Sequence, residues 1–214
     1  MAEVKGDWAV KRKLDCAHNA RFRKGLEMPY LEIIDSKASG TAGGTFSANV
    51  WRTRDLTDTV FNDFAVSVDL ASVAGEGAQI VLNPGIYYIE ATAPAMNCNE
   101  HVARLADVTD SPGTYAETVV LGTTEFSADS SLWRIDDAGG GASEALTVHS
   151  ASQTRSEITG KFQLTRVTTL EIQHRCANTQ STDGLGSDGG FYVTDNIFTV
   201  VKMWQIRDDS EVNP

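Results

Sequence analysis

Cysteine, proline and long apolar runs are all scarce in this chain. Only three of its 214 residues are cysteines (Cys16, Cys98, Cys176), and they are widely spaced. An odd, scattered set has neither the density of a disulfide framework nor the paired spacing of a zinc site, so it predicts free thiols. No stretch approaches the roughly 20 uncharged residues that would span a bilayer, which predicts a soluble chain without a membrane partner. No Asn-x-Ser/Thr acceptor occurs, and the opening MAEVKGDWAVKRKLD has basic residues but no apolar run behind them. That pattern predicts synthesis in a cytoplasm rather than secretion through a cleaved signal. Catalytic signatures are missing as well. The four histidines (His18, His101, His149, His174) fall in no G-x-S-x-G elbow and no H-E-x-x-H helix, so the sequence predicts no enzyme, no catalytic residue and no cofactor.

Charge is plentiful and unevenly shared. Residues 1–29 carry seven Lys/Arg against four acids, net +3, while the remainder carries 11 basic and 25 acidic residues, net −14. An acidic body of this kind repels phosphate backbones and predicts no nucleic acid partner. The leading segment lacks any alternation. Val10, Leu14 and Ala17 lie at helical spacing and Pro29 would end a helix there, but an irregular arm fits as well. Trp8 and Phe22 among Lys11, Arg12, Lys13, Arg21 and Arg23 are the aromatic and cationic residues that docking surfaces use. An anchor to a larger assembly is therefore the reading of residues 1–29, against the plainer one of an unattached tail.

From about Tyr30 onward the period is two. In NDFAVSVDLAS, Phe64, Val66, Val68 and Leu70 share one face; in RSEITGKFQLT, Ile158, Phe162 and Leu164 do; in TTLEIQHRC, Leu170, Ile172, His174 and Cys176 do. Each predicts a half-buried strand with one wet face, and His174 then reads as a core or interface histidine. Asn83-Pro84-Gly85, Ser111-Pro112-Gly113 and Ala138-Gly139-Gly140-Gly141 punctuate the strands, and QIVLNPGIYYIEA reads as a hairpin. Short strands with such punctuation predict an all-β antiparallel sandwich over residues 30–207, followed by a tail at 208–214.

The closing run, Ile197 to Ile206, is apolar on both parities. Phe198, Val200, Trp204 and Ile206 form one set and Ile197, Val201 and Met203 the other. Such a strand needs cover on both sides, either from a loop of its own chain or from neighbouring subunits. Two other patterns are weighed and set aside. Gly184-Leu185-Gly186-Ser187-Asp188-Gly189 matches a dinucleotide fingerprint by spacing, but no helix pattern follows it, so it predicts a loop. Asp183, Asp188 and Asp195 around that loop are weak candidates for a bound cation such as calcium, with no EF-hand spacing, and no metal is expected. Tyr115, Trp133 and Tyr192 are the aromatic residues that could form a glycan platform.

The order of these segments resembles the trimeric jelly-roll superfamily of tumour-necrosis-factor-like ligands and the globular heads of complement and collagen-associated proteins. QIVLNPGIYYIEATAPA, HVARLADVTD, VVLGTTEFS, SEITGKFQLTRVTTLEIQHRC and FYVTDNIFTVVKMWQI carry the likeness. More narrowly, RDLTDTVFNDFAVSV, PGIYYIEATAPA and LEIQHRC resemble bacteriophage virion proteins used as capsid decorations, head appendages and fibre tips. The resemblance implies a jelly roll forming a homotrimer, with Ile197, Val201, Met203 and Trp204 near the three-fold axis. It implies a virion structural protein whose partners are capsid or tail proteins, with a host surface glycan as an alternative ligand. No collagen-like repeat or long coiled coil precedes the body, so a short gripping arm is expected in place of a shaft.

Overall fold

A computed structural model describes residues 28–64, 68–70, 77–110, 116–127, 152–190 and 194–208. All regular elements among them are strands: β1 (Tyr30–Lys37), β2 (Arg52–Thr53), β3 (Asp58–Asn62), β4 (Val68–Asp69), β5 (Gln79–Leu82), β6 (Gly85–Met96), β7 (Asn99–Asp107), β8 (Glu117–Ser127), β9 (Gln153–Leu164), β10 (Thr168–Cys176) and β11 (Asn196–Asp208). They pair antiparallel into two sheets, one ordered β3-β1-β11-β6-β9 and the other β4-β5-β10-β7-β8, with β2 added beside β10. Stripped of β2, β3 and β4, the order 1-11-6-9 over 5-10-7-8 is that of a double-sheet jelly roll: the antiparallel sandwich that the alternation predicts, in the topology that the resemblance implies.

Alternation builds the core directly. Leu31 and Ile33 of β1, Ile80 and Leu82 of β5, Ile89 and Ala91 of β6, Ile158 and Phe162 of β9, and Leu170 and Ile172 of β10 are all buried in one cluster between the sheets. β9 alternates as read, with Glu157, Thr159, Lys161 and Gln163 outward. Beside it, Ser156 Oγ donates to Thr123 O at 2.6 Å, tying the edges β8 and β9 and closing the sandwich along that side. Phe64 is buried, whereas Val66 lies outside the described residues.

Three sequence expectations need correction. QIVLNPGIYYIEA is not a hairpin. β5 pairs with β10 and β6 with β11, so the chain crosses from one sheet to the other at Asn83-Pro84. Tyr87, buried on β6, donates its hydroxyl back to Asn83 O at 2.8 Å and fixes that crossing. The outer face of β10 is not wet either, since Glu171 and Gln173 are buried with Arg104 of β7. They satisfy one another: Arg104 Nη2 donates to Gln173 Oε1 at 2.7 Å, Gln173 Nε2 to Glu171 Oε2 at 2.8 Å, and Thr53 Oγ1 to the same oxygen at 2.7 Å. Trp51 covers them, with the Arg104 guanidinium 4.0 Å from its ring centroid. Polar residues alternate here because they bond each other under an aromatic cover; periodicity alone registers only that they are polar.

The third correction concerns β11. Val201 and Met203 are fully buried in the core of the single chain, beside Leu31 and Ile89, so they are not available to a subunit interface. The reason is register. Met203 pairs with Leu31 and with Ile89, both inward residues, and its parity therefore points between the sheets. Trp204 has the opposite parity and pairs with Tyr30 and Tyr88 on the outer face. Ile197, at the end of the strand, is 50% exposed.

Candidate functional site

The outer face of the first sheet gathers aromatic side chains from four adjacent strands. Tyr30 of β1 lies 5.2 Å from Trp204 of β11 and 5.9 Å from Phe61 of β3, and Tyr88 of β6 lies 6.0 Å from Trp204, centroid to centroid. Phe61, Tyr30, Trp204 and Tyr88 thus form a row running across β3, β1, β11 and β6. Their spacing follows from cross-strand pairing, which sets directly opposed side chains about 5 Å apart. Around the row, Val60 of β3 is 54% exposed and Ile206 of β11 is 45% exposed. The same face carries charge as well: Glu32, Lys202 and Glu90 form the neighbouring cross-strand row, and Lys161 of β9 stands opposite Tyr88.

The polar groups inside the row are few and paired. Tyr30 donates its hydroxyl to Glu32 Oε2 at 2.9 Å, and Lys202 Nζ lies 3.9 Å from Glu32 Oε1. Burial, the bond to Glu32 and the carboxylates of Glu32 and Glu90 push the Tyr30 phenol up to about 12, so it stays a neutral donor at any physiological pH. Chemically, the face offers aromatic stacking area beside one anchored phenol.

A second constellation lies inside one end of the sandwich. Arg54, fully buried, reaches from the second sheet to the first: its N–H bonds Ile172 O, Nε donates to Thr199 Oγ1 at 2.8 Å, and Nη2 donates to Leu185 O at 2.9 Å. Asp35 Oδ2 stands 4.0 Å from Nη2, and Lys37 Nζ lies 3.1 Å from Asp35 Oδ1 and 3.2 Å from Asp55 Oδ2. Two cations thus face two carboxylates. Burial lowers Arg54 to about 10, leaving it protonated near neutrality, while burial raises Asp35 against the pull of Arg54 and Lys37.

Next to it, His101 Nδ1 and His174 Nε2 are 3.0 Å apart, and His101 Nε2 is 2.7 Å from Thr154 Oγ1. His174 Nδ1 is buried without a hydrogen-bond partner. A bare ring nitrogen is cheaper to leave unpaired than an N–H, so the proton of His174 belongs on Nε2, donated to His101, whose own proton goes to Thr154. Phe46 packs on the His174 ring, 4.6 Å between centroids, as expected for a core histidine. Burial and the nearby Arg54 charge hold both imidazoles low, His101 at about 4 and His174 well below the ordinary range, with Glu125 opposing the shift at His101.

This gives an acid lability with a definite sign. The unfolded chain takes up these two protons near pH 6.5, whereas in the fold His101 does so only near 4 and His174 is held well below its ordinary range. Stability is therefore complete above about pH 6.5 and is lost as pH falls through the window below it, by about 1.4 kcal/mol per histidine and pH unit. Asp35, raised in the fold, works in the opposite direction but is one group against two. Urea midpoints measured at pH 7 and 4.5 should show the drop, and a His174→Gln chain should show a shallower one. Equal midpoints at both pH values would remove the histidine pair from the stability account.

The remaining candidates are quickly placed. Asp183 accepts from Gln180 Nε2 at 2.9 Å, whereas Asp188 accepts from Asn196 Nδ2 at 2.7 Å and from Gly190 N at 3.2 Å. Asp195 is exposed. The three do not converge, and among the described residues no cluster of three or more metal-binding side chains occurs. The glycines of 184–189 serve packing: a Cβ at Gly184 would lie 2.7 Å from Phe46 Cβ, and one at Gly186, whose φ is +137°, would strike the Phe198 ring. Trp8, Lys11, Arg12, Lys13, Arg21, Phe22, Arg23, Tyr115, Trp133 and Tyr192 lie outside the described residues.

Sequence reasoning missed Tyr30, Phe61 and Tyr88. Two signals could have found the tyrosines: YLEIID puts Tyr30 on the parity opposite Leu31 and Ile33, and IYYIE puts one tyrosine on each face; β3, exposed throughout, gives no such signal for Phe61. No protein-family model matches the chain, and no curated protein does. Among solved structures the chain is similar to the globular domain of zebrafish complement 1qA protein, at 11% identity over 85% of this chain and 100% of that one, TM-score 0.44. It is similar also to murine APRIL crystallised at pH 8.0, at 8% identity over 84% of this chain and 100% of that one, TM-score 0.44. The pH 5.0 crystal structure of murine APRIL gives 10% identity over 84% and 100%, TM-score 0.43. The jelly roll itself stands on the strand order of this chain, 1-11-6-9 over 5-10-7-8.

Proposed function

We propose that this chain is a structural, non-catalytic knob of a bacteriophage virion, a homotrimer whose copies meet through the aromatic face of the first sheet and whose residues 1–29 anchor it to capsid or tail proteins. The observation that carries the assembly half is the aromatic row Phe61–Tyr30–Trp204–Tyr88 across the outer face of the first sheet. Burying such a face yields roughly 25 cal/mol per Å² of apolar surface, enough for a standard interface to hold copies together without further machinery. The virion half rests on the likeness of RDLTDTVFNDFAVSV, PGIYYIEATAPA and LEIQHRC to phage structural proteins. The basic arm before an acidic body supports a division of labour: the arm grips and the body, net −14, stays solvated.

The arm is tested by deletion of residues 1–27. Pro29 is spared because its carbonyl accepts from Gln205 N at 3.0 Å and so belongs to the body. The shortened chain should fold, keep its oligomeric mass and fail to join particles when supplied to an infection lacking the full-length protein. Incorporation at the wild-type level would refute the anchor.

A further inference from the structure

Cys98 and Cys176 are far apart in sequence yet share one buried cluster with Phe46, Ala95 and the partly buried Leu185. Both are free thiols. Cys98 sits in the turn between β6 and β7, between two residues of positive φ, Asn97 at 51° and Asn99 at 59°. That backbone turns its side chain inward, where Cys98 N donates to Ser127 Oγ at 3.0 Å and the sulfur lies 3.4 Å from the same oxygen. Cys176 ends β10. The two meet at one residue: Asn178 N donates to Cys98 O at 3.1 Å, and Cys176 Sγ donates to Asn178 O at 3.1 Å.

We infer that Cys98 and Cys176 are a redox pair that closes to an intrachain disulfide when the protein meets an oxidising environment. The two thiols share one buried cluster and influence each other unequally: the neighbouring Cys176 thiol, the Ser127 hydroxyl and the Arg54 charge lower Cys98, while the neighbouring Cys98 and burial raise Cys176. Cys98 is thus the attacking thiolate. It displaces one thiolate from a small-molecule disulfide such as oxidised glutathione, forming a mixed disulfide, and Cys176 then attacks the Cys98 sulfur and expels the second thiol. Two protein thiols are oxidised, one small disulfide is reduced to two thiols, and the two protons lost by the cysteines end on those thiols. The new bond would tie the β6–β7 turn to the end of β10, across the same end of the sandwich that holds His101, His174 and Arg54. It closes a loop of about 80 residues, long enough for a strong entropic effect on the unfolded chain. A protein made reduced and later exposed outside the cell would gain a covalent latch, which adds to the proposed virion role without depending on it.

The test uses the full chain with Cys16→Ser, so that only this pair can react. The purified folded protein is held with oxidised glutathione, blocked with iodoacetamide under denaturing conditions and digested. The expected result is a peptide pair joined through Cys98 and Cys176, two hydrogens lighter than the sum, and a melting temperature roughly 10 °C above that of the reduced chain. Adding Cys98→Ala should abolish the difference between oxidised and reduced samples. Recovery of both cysteines as alkylated thiols, or of Cys98 as a stable glutathione adduct, would overturn the inference. So would a cross-link that leaves the melting temperature unchanged.

Discussion

A Trp204→Glu chain should elute at the mass of one 23.1 kDa copy and the wild type at the mass of three, with the far-ultraviolet dichroism the same for both. Trp204 is the middle of the aromatic row, between Tyr30 and Tyr88, and its side chain points away from the core. The inward residues of the same strand, Thr199, Val201 and Met203, would be untouched, so the sandwich survives. A carboxylate at the centre of a desolvated patch costs several kcal/mol, and loss of a central tryptophan alone costs on the order of 2–4 kcal/mol at an interface hot spot. Each copy of a three-fold assembly carries the defect, which multiplies the effect. Met203→Ala is the contrasting change, because it opens a hole in the core: stability should fall by about 2–5 kcal/mol while the oligomeric mass holds at permissive temperature. A wild-type chain of single-copy mass, or a Trp204→Glu chain that stays trimeric, would remove the proposed interface. Sedimentation velocity on the three proteins decides it.

How far the sequence reaches is seen in β11. Its apolar character on both parities marks a strand, yet the same letters do not say which side meets the core. That depends on register with β1 and β6, fixed by pairing partners more than 100 residues away in the chain. Trp204 was therefore legible as an outward candidate, whereas Val201 and Met203 were assigned to the wrong side. β9 was legible in full because one of its faces really is wet. β10 was not, since a buried hydrogen-bonded Gln173 reads like an exposed one. The sheet crossing at Asn83-Pro84 is invisible for a related reason: a Pro-Gly turn fits a hairpin and a change of sheet equally well, and only the partners of β5 and β6 decide between them. Arg54 was overlooked because an arginine two residues from another, in WRTRD, carries no mark of burial.

That arginine is where the largest loss of stability is expected. Arg54→Ala should lower the free energy of unfolding by about 3–5 kcal/mol, the ordinary cost of removing one partner from a buried charge cluster. The guanidinium satisfies Thr199 Oγ1 and the carbonyls of Leu185 and Pro94, and its charge sits beside Asp35. Without it, Asp35 keeps Lys37 but loses its second cation, and the carbonyls of Leu185 and Pro94 lose a donor. Arg54→Lys should not rescue the fold, because a single ammonium cannot reach acceptors spread over β11, β6 and the 184–186 loop, as a planar fork does. Removing the charges together is a different matter. Arg54→Met combined with Asp35→Leu should recover much of the loss, because a buried ion pair gives up most of its Coulombic gain in desolvation. Urea unfolding of the four chains at pH 7 measures all of this, and a single Arg54→Ala variant within about 1 kcal/mol of the wild type would mean that the two sheets are not held at this end by the arginine.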